Sequence, residues 1–221
     1  MHTWSFFKQA GGILWDEGGK NPQLNSEAME KAISFVRSLY GTVFPEQLID
    51  WQTAYSFFVT GNAPMVMHGS WLVTGLNKAG INYGTMMVPQ IFEDAPYSAF
   101  ANKHMFAFTR LDKKKEEAAL KFVKWILTEE RNLVWGKGSG NVPSLNAARE
   151  EYAKDPIYKP MAVTSEMNKD KLFMSPYVKE DAIIIYKYIQ PALEKLYGDK
   201  KIEIKPVLDE LNNNVKNLLA Q

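Results

Sequence analysis

The chain has 221 residues, enough for one large domain or two small ones, and its 46% hydrophobic and 13% aromatic residues can build a core. This composition excludes a disordered segment, which combines few aromatic residues with a high net charge. The 26 Lys and Arg residues nearly balance the 25 Asp and Glu residues, and a formal charge of +1 creates no global field that attracts nucleic acid. Cysteine is absent, which excludes disulfides, thiolate metal sites and thiol nucleophiles.

The first part of the chain is predicted to start as a loop and to continue as two helices. Residues 1–24 contain three turn-forming pairs: Gly11-Gly12, Gly18-Gly19 and Asn21-Pro22. Apolar residues three and four apart between Met29 and Tyr40 predict an amphipathic helix that Gly41 ends. A second helix is predicted from Asp50 to Thr60. Since no basic segment leads into a long apolar run near Met1, we expect any export signal to lie outside this chain.

The middle of the chain is predicted to alternate short strands with helices. The predicted strands are Ala63–His68, Asn82–Val88 and His104–Thr109, with a helix from Ser70 to Lys78 between the first two. Asp112 can cap a helix whose apolar face contains Ala119, Phe122, Val123, Ile126 and Leu127. A short helix, Glu129–Trp135, is predicted to lead into a glycine-rich loop at 136–143. We assign Trp125 and Trp135 to the core.

The last third is predicted to be helical, over Leu145–Lys154, Lys179–Tyr197 and Lys205–Ala220. In the final helix the apolar residues form one stripe, as in a helix that packs on a core: Val207, Leu208, Leu211, Val215, Leu218 and Leu219. Short strands followed by helices indicate an α/β fold.

Catalytic and metal-binding patterns were sought and not found in the sequence. His2, His68 and His104 lack metal-ligand spacing and are interpreted as structural or surface residues. Gly136–Gly140 lacks the order of a phosphate-binding loop. Neighbouring acidic residues, such as Glu129 and Glu130, point in different directions on a helix and cannot converge on one bond. The sequence therefore predicts no catalytic residues, no metal site and no cofactor.

Two tryptophans occupy positions that open onto ligand clefts in α/β proteins. Trp51 follows Asp50, and Trp71 follows Ser70, where a loop or strand passes into a helix. A tryptophan ring stacks well on the apolar face of a sugar, but core packing is the more common role of a tryptophan at such a position. Position alone leaves both interpretations open.

The order of motifs resembles the family-1 extracellular solute-binding proteins of ABC importers, and the maltose- and maltodextrin-binding members in particular. That family has a helix ending in F-x-x-G, a strand with a buried Met and then G-x-W, which Tyr55–Trp71 matches. Asn82-Tyr83-Gly84 with Val88-Pro89 matches the next strand, and Ala118–Glu130 matches a helix pair of the family. Gly140-Asn141-Val142-Pro143 matches the G-x-x-P that follows. The resemblance runs from about Trp4 to the C-terminus.

The resemblance implies a set of sugar-binding residues. Trp71 stands at the G-x-W tryptophan, which stacks on a pyranose ring in sugar-binding members, and Trp51 stands where maltose-binding members carry a cleft aromatic. Those members also have a tryptophan on the helix that matches Lys179–Tyr197, where this chain has Ile183-Ile184-Ile185. Tyr186 is the residue that can replace it. The implied ligand is thus a sugar or oligosaccharide rather than maltose itself.

The resemblance also implies a type II periplasmic-binding-protein fold with two lobes and an interlobe cleft, of which this chain covers only the C-terminal half. Residues 1–99 are expected in the C-terminal lobe, 100–148 in the N-terminal lobe, and 149–221 as helices that pack back on the C-terminal lobe. The implied partners are the sugar, the permease subunits and the missing N-terminal half. The expected location is periplasmic or extracellular, and the parent is either free or lipid-anchored.

Two other functions are compatible with the sequence. One is a fragment of a carbohydrate-active enzyme, which would need two converging carboxylates. The other is a binder of the same fold for a non-sugar solute, whose cleft would be rich in charged groups rather than in Trp and Tyr.

Overall fold

The computed structural model describes residues 2–16, 21–92, 99–101, 105–109, 112–166, 172–174 and 178–220. Their secondary structure is almost entirely helical. In chain order the elements are α1 His2–Gln9, α2 Glu27–Leu39, α3 Trp51–Val59, α4 Leu72–Lys78, β1 Ala99–Ala101, α5 Lys113–Ile126, α6 Glu129–Ser139, α7 Asn146–Tyr152, α8 Lys159–Ser165, β2 Leu172–Met174, α9 Asp181–Ile183, a π-helical segment Ile184–Ile189, α10 Gln190–Gly198 and α11 Ile204–Leu219. Strands β1 and β2 form a two-stranded sheet.

The chain divides into two compact units. The first contains Met1–Phe58, Val88–Phe100 and Lys169–Gln221, and the second contains Val59–Met87 and Ala101–Asn168. The two units are defined by contacts within this chain, whereas the lobes were predicted for a longer parent protein. The division into lobes at 99 and 148 therefore stays a prediction.

The core of the first unit is formed by helices α1, α2, α10 and α11. The predicted stripe of α2 is buried and consists of Met29, Ala32, Ile33 and Val36. Phe6 of α1 meets Phe35 edge-on, with ring centroids 4.9 Å apart. The stripe of α11 is buried over Val207, Leu208, Leu211 and Val215, as its periodicity predicts.

The prediction of a loop over residues 1–24 is wrong for its first part, because His2–Gln9 forms helix α1. The glycines that suggested a loop, Gly11 and Gly12, lie after the helix ends. Phe6 and Phe7 are buried, and packing against α2 stabilises a helix that is too short to be stable by propensity alone.

A half-buried guanidinium joins two helices of the first unit. Arg37, on the last turn of α2, donates to the carbonyl oxygens of Leu196 at 2.6 Å, Asp199 at 2.7 Å and Ile202 at 2.7 Å. These carbonyls lie in and after the last turn of α10, where main-chain acceptors have no helical partner. Arg37 thus caps the C-terminal end of α10.

The core of the second unit is a cluster of the buried side chains Val73, Tyr152, Tyr158 and Ala162. Tyr83 packs on this cluster, and its hydroxyl donates to Asn77 Oδ1 at 2.7 Å. Buried Asn132 of α6 accepts a hydrogen bond from the Leu145 N–H at 3.0 Å. This bond fixes α6 to the start of α7.

The three predicted strands are not strands in the structure. Ala63–His68, Asn82–Val88 and residues 105–109 lie outside the regular elements, and His104 is outside the described residues. Within the described part of the chain, Asn82–Val88 and 105–109 make no backbone–backbone hydrogen bonds. The patterns indicated extended backbone, but a strand exists only where a neighbouring strand pairs with it.

The remaining corrections concern helix lengths and burial. Helix α6 continues to Ser139, so the first half of the predicted glycine-rich loop is helical, and helix α8 was not predicted. Trp125 and Trp135 were assigned to the core, but both are exposed. The amphipathic pattern of α5 is real, yet none of its residues is buried.

Candidate functional site

Trp71 stands at the N-terminus of α4, with its ring 44% exposed. The N–H groups of Leu72 and Val73 donate to the carbonyl oxygens of Gly69 and Ser70 at 3.1 and 3.2 Å, which forms the first turn. Because Val73 is buried in the core cluster of the second unit, the helix start is held in place. Trp71 therefore presents an exposed indole from a fixed backbone.

The orientation of the Trp71 ring is restricted by two neighbours. The His68 imidazole meets the indole edge-on, with ring centroids 5.6 Å apart and planes at 77°. Gly69 packs against the same indole, and a Cβ at position 69 would overlap the ring. Glycine is thus required at position 69 for this ring orientation. His68 was interpreted from the sequence as a structural or surface residue. Its position three residues before Trp71 was the signal that could have predicted the contact between the two rings.

The C-terminal end of α6 packs against the backbone of Trp71. Gly140 ends the helix in the left-handed region with φ of 71°, and a Cβ there would overlap the Ser70 carbonyl oxygen. The Thr74 hydroxyl donates to the Gly138 carbonyl oxygen at 2.8 Å. The G-x-x-P motif therefore begins at a glycine that positions the G-x-W motif.

Trp51 is the first residue of α3 and is 59% exposed. Asp50 precedes it and caps the helix, because its carboxylate accepts from the Thr53 N–H at 2.8 Å. This backbone hydrogen bond stabilises the charged carboxylate and lowers the pKa of Asp50. The cap thus sets where the helix begins and where Trp51 lies.

Tyr186 lies in the π-helical segment and is 70% exposed. The Gln190 N–H donates to the Ile185 carbonyl oxygen five residues back, which is the π-helical pattern. Pro191 follows and has no N–H to donate to the previous turn, so it favours this wider turn. Ile184 and Ile189 are buried and Tyr186 points away from the core.

The three predicted site residues are divided between the two units: Trp51 and Tyr186 belong to the first and Trp71 to the second. An open pocket of about 710 Å³ lies in the first unit, between the turn that contains Tyr40 and Phe44 and the segment 197–201. None of the three predicted residues lines it. Their assignment as a binding site stays a prediction.

Among the described residues, no group of three or more His, Asp or Glu side chains is arranged to hold a metal ion. Within the same residues, every helix is too short or too polar to cross a membrane.

The family model for bacterial extracellular solute-binding proteins matches residues 1–160. The chain belongs to this family of solute-binding proteins. The resemblance to the maltose- and maltodextrin-binding group is confirmed by curated relatives and by a solved structure.

Three curated relatives are named for the sugars that they bind. The maltotriose-binding protein of Pyrococcus abyssi (strain GE5 / Orsay) is 30% identical over 125 residues, which cover 53% of this chain and 26% of that protein. The maltodextrin-binding protein MdxE of Bacillus subtilis (strain 168) is 24% identical over 68% of this chain and 39% of that protein. The galactooligosaccharide-binding protein of the same bacterium is 23% identical over 75% and 41%.

A solved structure defines the fold. The maltose/maltodextrin-binding domain MalE from Bdellovibrio bacteriovorus, bound to maltotriose, superposes on all of this chain with a TM-score of 0.77 and 19% identity. The predicted periplasmic-binding-protein fold is therefore confirmed. This chain covers 57% of that structure and less than half of each curated relative.

Proposed function

We propose that this chain is part of the substrate-binding component of an ABC importer and that it binds a sugar or oligosaccharide. The support is the set of relatives, whose names give maltotriose, maltodextrin and galactooligosaccharide as ligands. Binding is non-covalent and no bond is broken, so the protein is not an enzyme. It acts by holding the sugar until a permease receives it.

The exposed indole of Trp71 is the observation that carries this proposal. A pyranose has a flat apolar face, and stacking on an aromatic ring removes that face from water. His68 and Gly69 restrict the ring, so less conformational entropy is lost when a sugar binds. An exposed tryptophan held in one orientation is suited to a rigid, flat ligand.

Trp51 and Tyr186 are proposed as additional aromatic contacts. Both rings are largely exposed, and each is carried by a helix whose local geometry is fixed, by the Asp50 cap or by buried isoleucines. Two further aromatic platforms suit an oligosaccharide better than a single sugar ring. Since sugar hydroxyls lose hydrogen bonds to water on binding, polar groups must replace those bonds.

We propose that further polypeptide of a longer parent supplies many of these polar groups. The curated relatives are more than twice as long as their matched segments. The parent would be periplasmic or extracellular, as the family name indicates, either free or lipid-anchored, and would deliver its ligand to permease subunits.

Calorimetry with two forms of the protein tests the proposal. Maltotriose, a galactooligosaccharide and spermidine are titrated into the 221-residue chain and into the longest polypeptide that its gene encodes. We expect the longer form to bind one of the sugars with a dissociation constant of about 1 μM, and the chain alone to bind at least about 100-fold more weakly. Spermidine is the control for a non-sugar solute.

Each outcome bears on a different part of the proposal. Tight sugar binding by the 221-residue chain alone would contradict the need for further polypeptide. Binding of spermidine without binding of either sugar would contradict the ligand class. A longer form that hydrolyses the sugar would show the enzymatic alternative to be correct.

A further inference from the structure

Two neighbours of different kinds contact the indole of Trp71. Gly69 approaches its six-membered ring, where a Cβ at position 69 would lie within 2.5 Å of three ring carbons. The His68 imidazole meets the indole edge-on, with centroids 5.6 Å apart and planes at 77°. The contact of Gly69 is made by main chain, whereas that of His68 is made by a side chain. The His68 contact can therefore be removed by substitution while the main chain stays as it is.

The pair of rings forms through local backbone geometry. The Leu72 N–H donates to the Gly69 carbonyl oxygen at 3.1 Å, so the chain begins to turn at Gly69. Side chains three residues apart lie on one side of such a turn, which brings the rings of His68 and Trp71 together. The next residue, Val73, is buried in the core cluster of the second unit. The two rings are thus held within one short segment of a single unit.

The His68 ring is itself restrained. The residue is half-buried, and its Nδ1 lies 3.4 Å from the Gly69 carbonyl oxygen. An Nδ1 that carries the proton donates a weak hydrogen bond at this distance, which ties the imidazole to the same turn that carries Trp71. A group that orients another must be restrained in this way, since a mobile ring provides no fixed contact.

An edge-on contact selects one rotation of the indole. Aromatic pairs favour this geometry with centroids about 4.5–7 Å apart, and the pair of His68 and Trp71 lies inside that range. The indole turns about two side-chain bonds, and 44% of its surface is exposed, so burial restrains it only in part. The stabilisation of an aromatic pair corresponds to a preference of about 2- to 12-fold for the paired orientation.

The orientation of the indole matters for a ligand that stacks on it. A sugar must meet the flat face of the ring, so only molecules whose indole is correctly turned bind it. The apparent affinity is reduced by the fraction of molecules in the competent orientation. A residue that stabilises this orientation therefore raises the affinity without touching the ligand.

We propose that His68 is a positioning residue for sugar binding. Its imidazole keeps the Trp71 indole in the orientation that stacks on the ligand, and it acts only through that indole. This inference rests on the proposed role of Trp71 as a sugar contact. It assigns a function to a histidine that the sequence indicated only as a structural or surface residue.

Near-UV circular dichroism of the 221-residue chain measures the orientation of the ring without any sugar. His68→Ala should change the signal, and the same substitution in a Trp71→Phe background should change it much less, because the indole is gone. His68→Phe keeps a ring at position 68 and should restore most of the wild-type signal. Met65→Ala replaces an exposed side chain of the same segment and should leave the signal unchanged. Melting temperatures within about 3 °C of wild type verify that the variants fold.

Calorimetry with the longest polypeptide that the gene encodes measures the effect on binding. With maltotriose and a galactooligosaccharide as probes, His68→Ala should raise the dissociation constant about 2- to 12-fold for the sugar that binds. His68→Phe and Met65→Ala should stay within about twofold of wild type. When Trp71 is already alanine, His68→Ala should have no further effect, because a residue that acts through its neighbour is silent once that neighbour is removed.

The possible results separate the role of His68 from that of Trp71. An unchanged near-UV signal in His68→Ala, or an unchanged affinity where Trp71→Ala weakens binding, overturns the role of His68 and leaves that of Trp71 intact. Equal losses with and without the indole also overturn it, since they indicate a direct contact with the sugar or a general structural role. If Trp71→Ala binds as tightly as wild type, the proposed role of Trp71 is wrong and that of His68 is wrong with it.

Discussion

Gly69 packs so closely on the indole of Trp71 that a Cβ at position 69 would overlap the ring. The overlapped atoms belong to a side chain that can rotate, so Gly69→Ala should turn the indole rather than unfold the protein. We expect the free energy of unfolding to change by less than about 1 kcal/mol, with a changed near-UV circular dichroism signal. Gly84→Ala, at a position with open space, is the control. A large loss of stability with an unchanged tryptophan signal would contradict this.

Trp71→Ala should weaken sugar binding by the longer polypeptide. Loss of a stacked aromatic and of its buried area costs about 1–3 kcal/mol, which is roughly a 5- to 150-fold increase in the dissociation constant. Calorimetry measures the change. Trp135→Ala removes another exposed indole of the second unit and should have little effect. Unchanged affinity of Trp71→Ala would assign this ring a purely structural role.

Gly140→Ala should destabilise the protein far more than Gly138→Ala. Position 140 has φ of 71°, and its Cβ would overlap backbone atoms of Ser70, which cannot rotate away. We expect a loss of about 2–4 kcal/mol in urea unfolding. Gly138 lies in α6 with no atom near its Cβ position, and alanine there should stabilise by about 0.5–1 kcal/mol. Equal effects of the two changes would contradict the proposed close packing at Gly140.

Arg37→Ala should reduce stability because it removes one donor from each of three carbonyl oxygens, of which that of Asp199 still accepts from the Ile202 N–H at 3.3 Å. Hydrogen bonds to charged groups contribute about 1.5–3 kcal/mol each, but water reaches part of this site, so we expect a total of about 2–4 kcal/mol. Arg131→Ala, which removes a guanidinium that lies over the exposed Trp125 ring, should cost less than about 1 kcal/mol. Denaturant unfolding measures the free energy of unfolding of both variants. A loss below about 1 kcal/mol for Arg37→Ala would disprove the capping role of Arg37.

Alkaline pH should destabilise the second unit through Tyr152. Burial raises the pKa of this phenol above its ordinary value of 10.0, so the folded protein keeps the proton to a higher pH than the unfolded chain does. Above pH 10.0 the unfolded state binds fewer protons, and stability falls as pH rises. Below pH 10.0 Tyr152 is protonated in both states, and its contribution to the free energy of unfolding is fully present.

Tyr152→Phe should remove part of this alkaline loss. The slope of unfolding free energy against pH above 10.0 should become shallower in this variant. An identical slope in wild type and Tyr152→Phe would contradict the prediction. At neutral pH Tyr152→Phe should have a small effect, because its hydroxyl donates to the Met161 sulfur, a weak acceptor, at 3.4 Å.

The helices that carry the candidate site were predictable because their signals are local. Asp112 was predicted as a cap, and its carboxylate accepts from the Lys115 N–H. Asp50 was predicted only as the start of a helix, and its carboxylate accepts from the Thr53 N–H. The π-helical turn at Tyr186 was not predicted. It depends on Pro191 further along the same helix, and the sequence was interpreted there as an uninterrupted helix.

The restricted orientation of the Trp71 ring could not be derived from the sequence. His68 and Gly69 are its neighbours in the chain, but Gly140 reaches Ser70 only because α6 packs beside α4. Position alone favoured core packing over stacking on a ligand for this tryptophan, without deciding between them. The folded chain exposes the ring, and its role as a sugar contact stays a prediction.

By itself the sequence determined the helices, the absence of thiol chemistry, the near-neutral charge and the family. The spacing of apolar residues predicts these helices, because the apolar residues on one face of a helix must be buried, as Met29 and Val36 are. Only the tertiary structure decided which apolar side chains are buried and which extended segments are paired. Trp125 is exposed and residues 105–109 pair with no strand among the described residues, since burial and strand pairing both need a second surface, which no local pattern encodes. The 221 residues form two compact units, and no residue of helix α5 is buried.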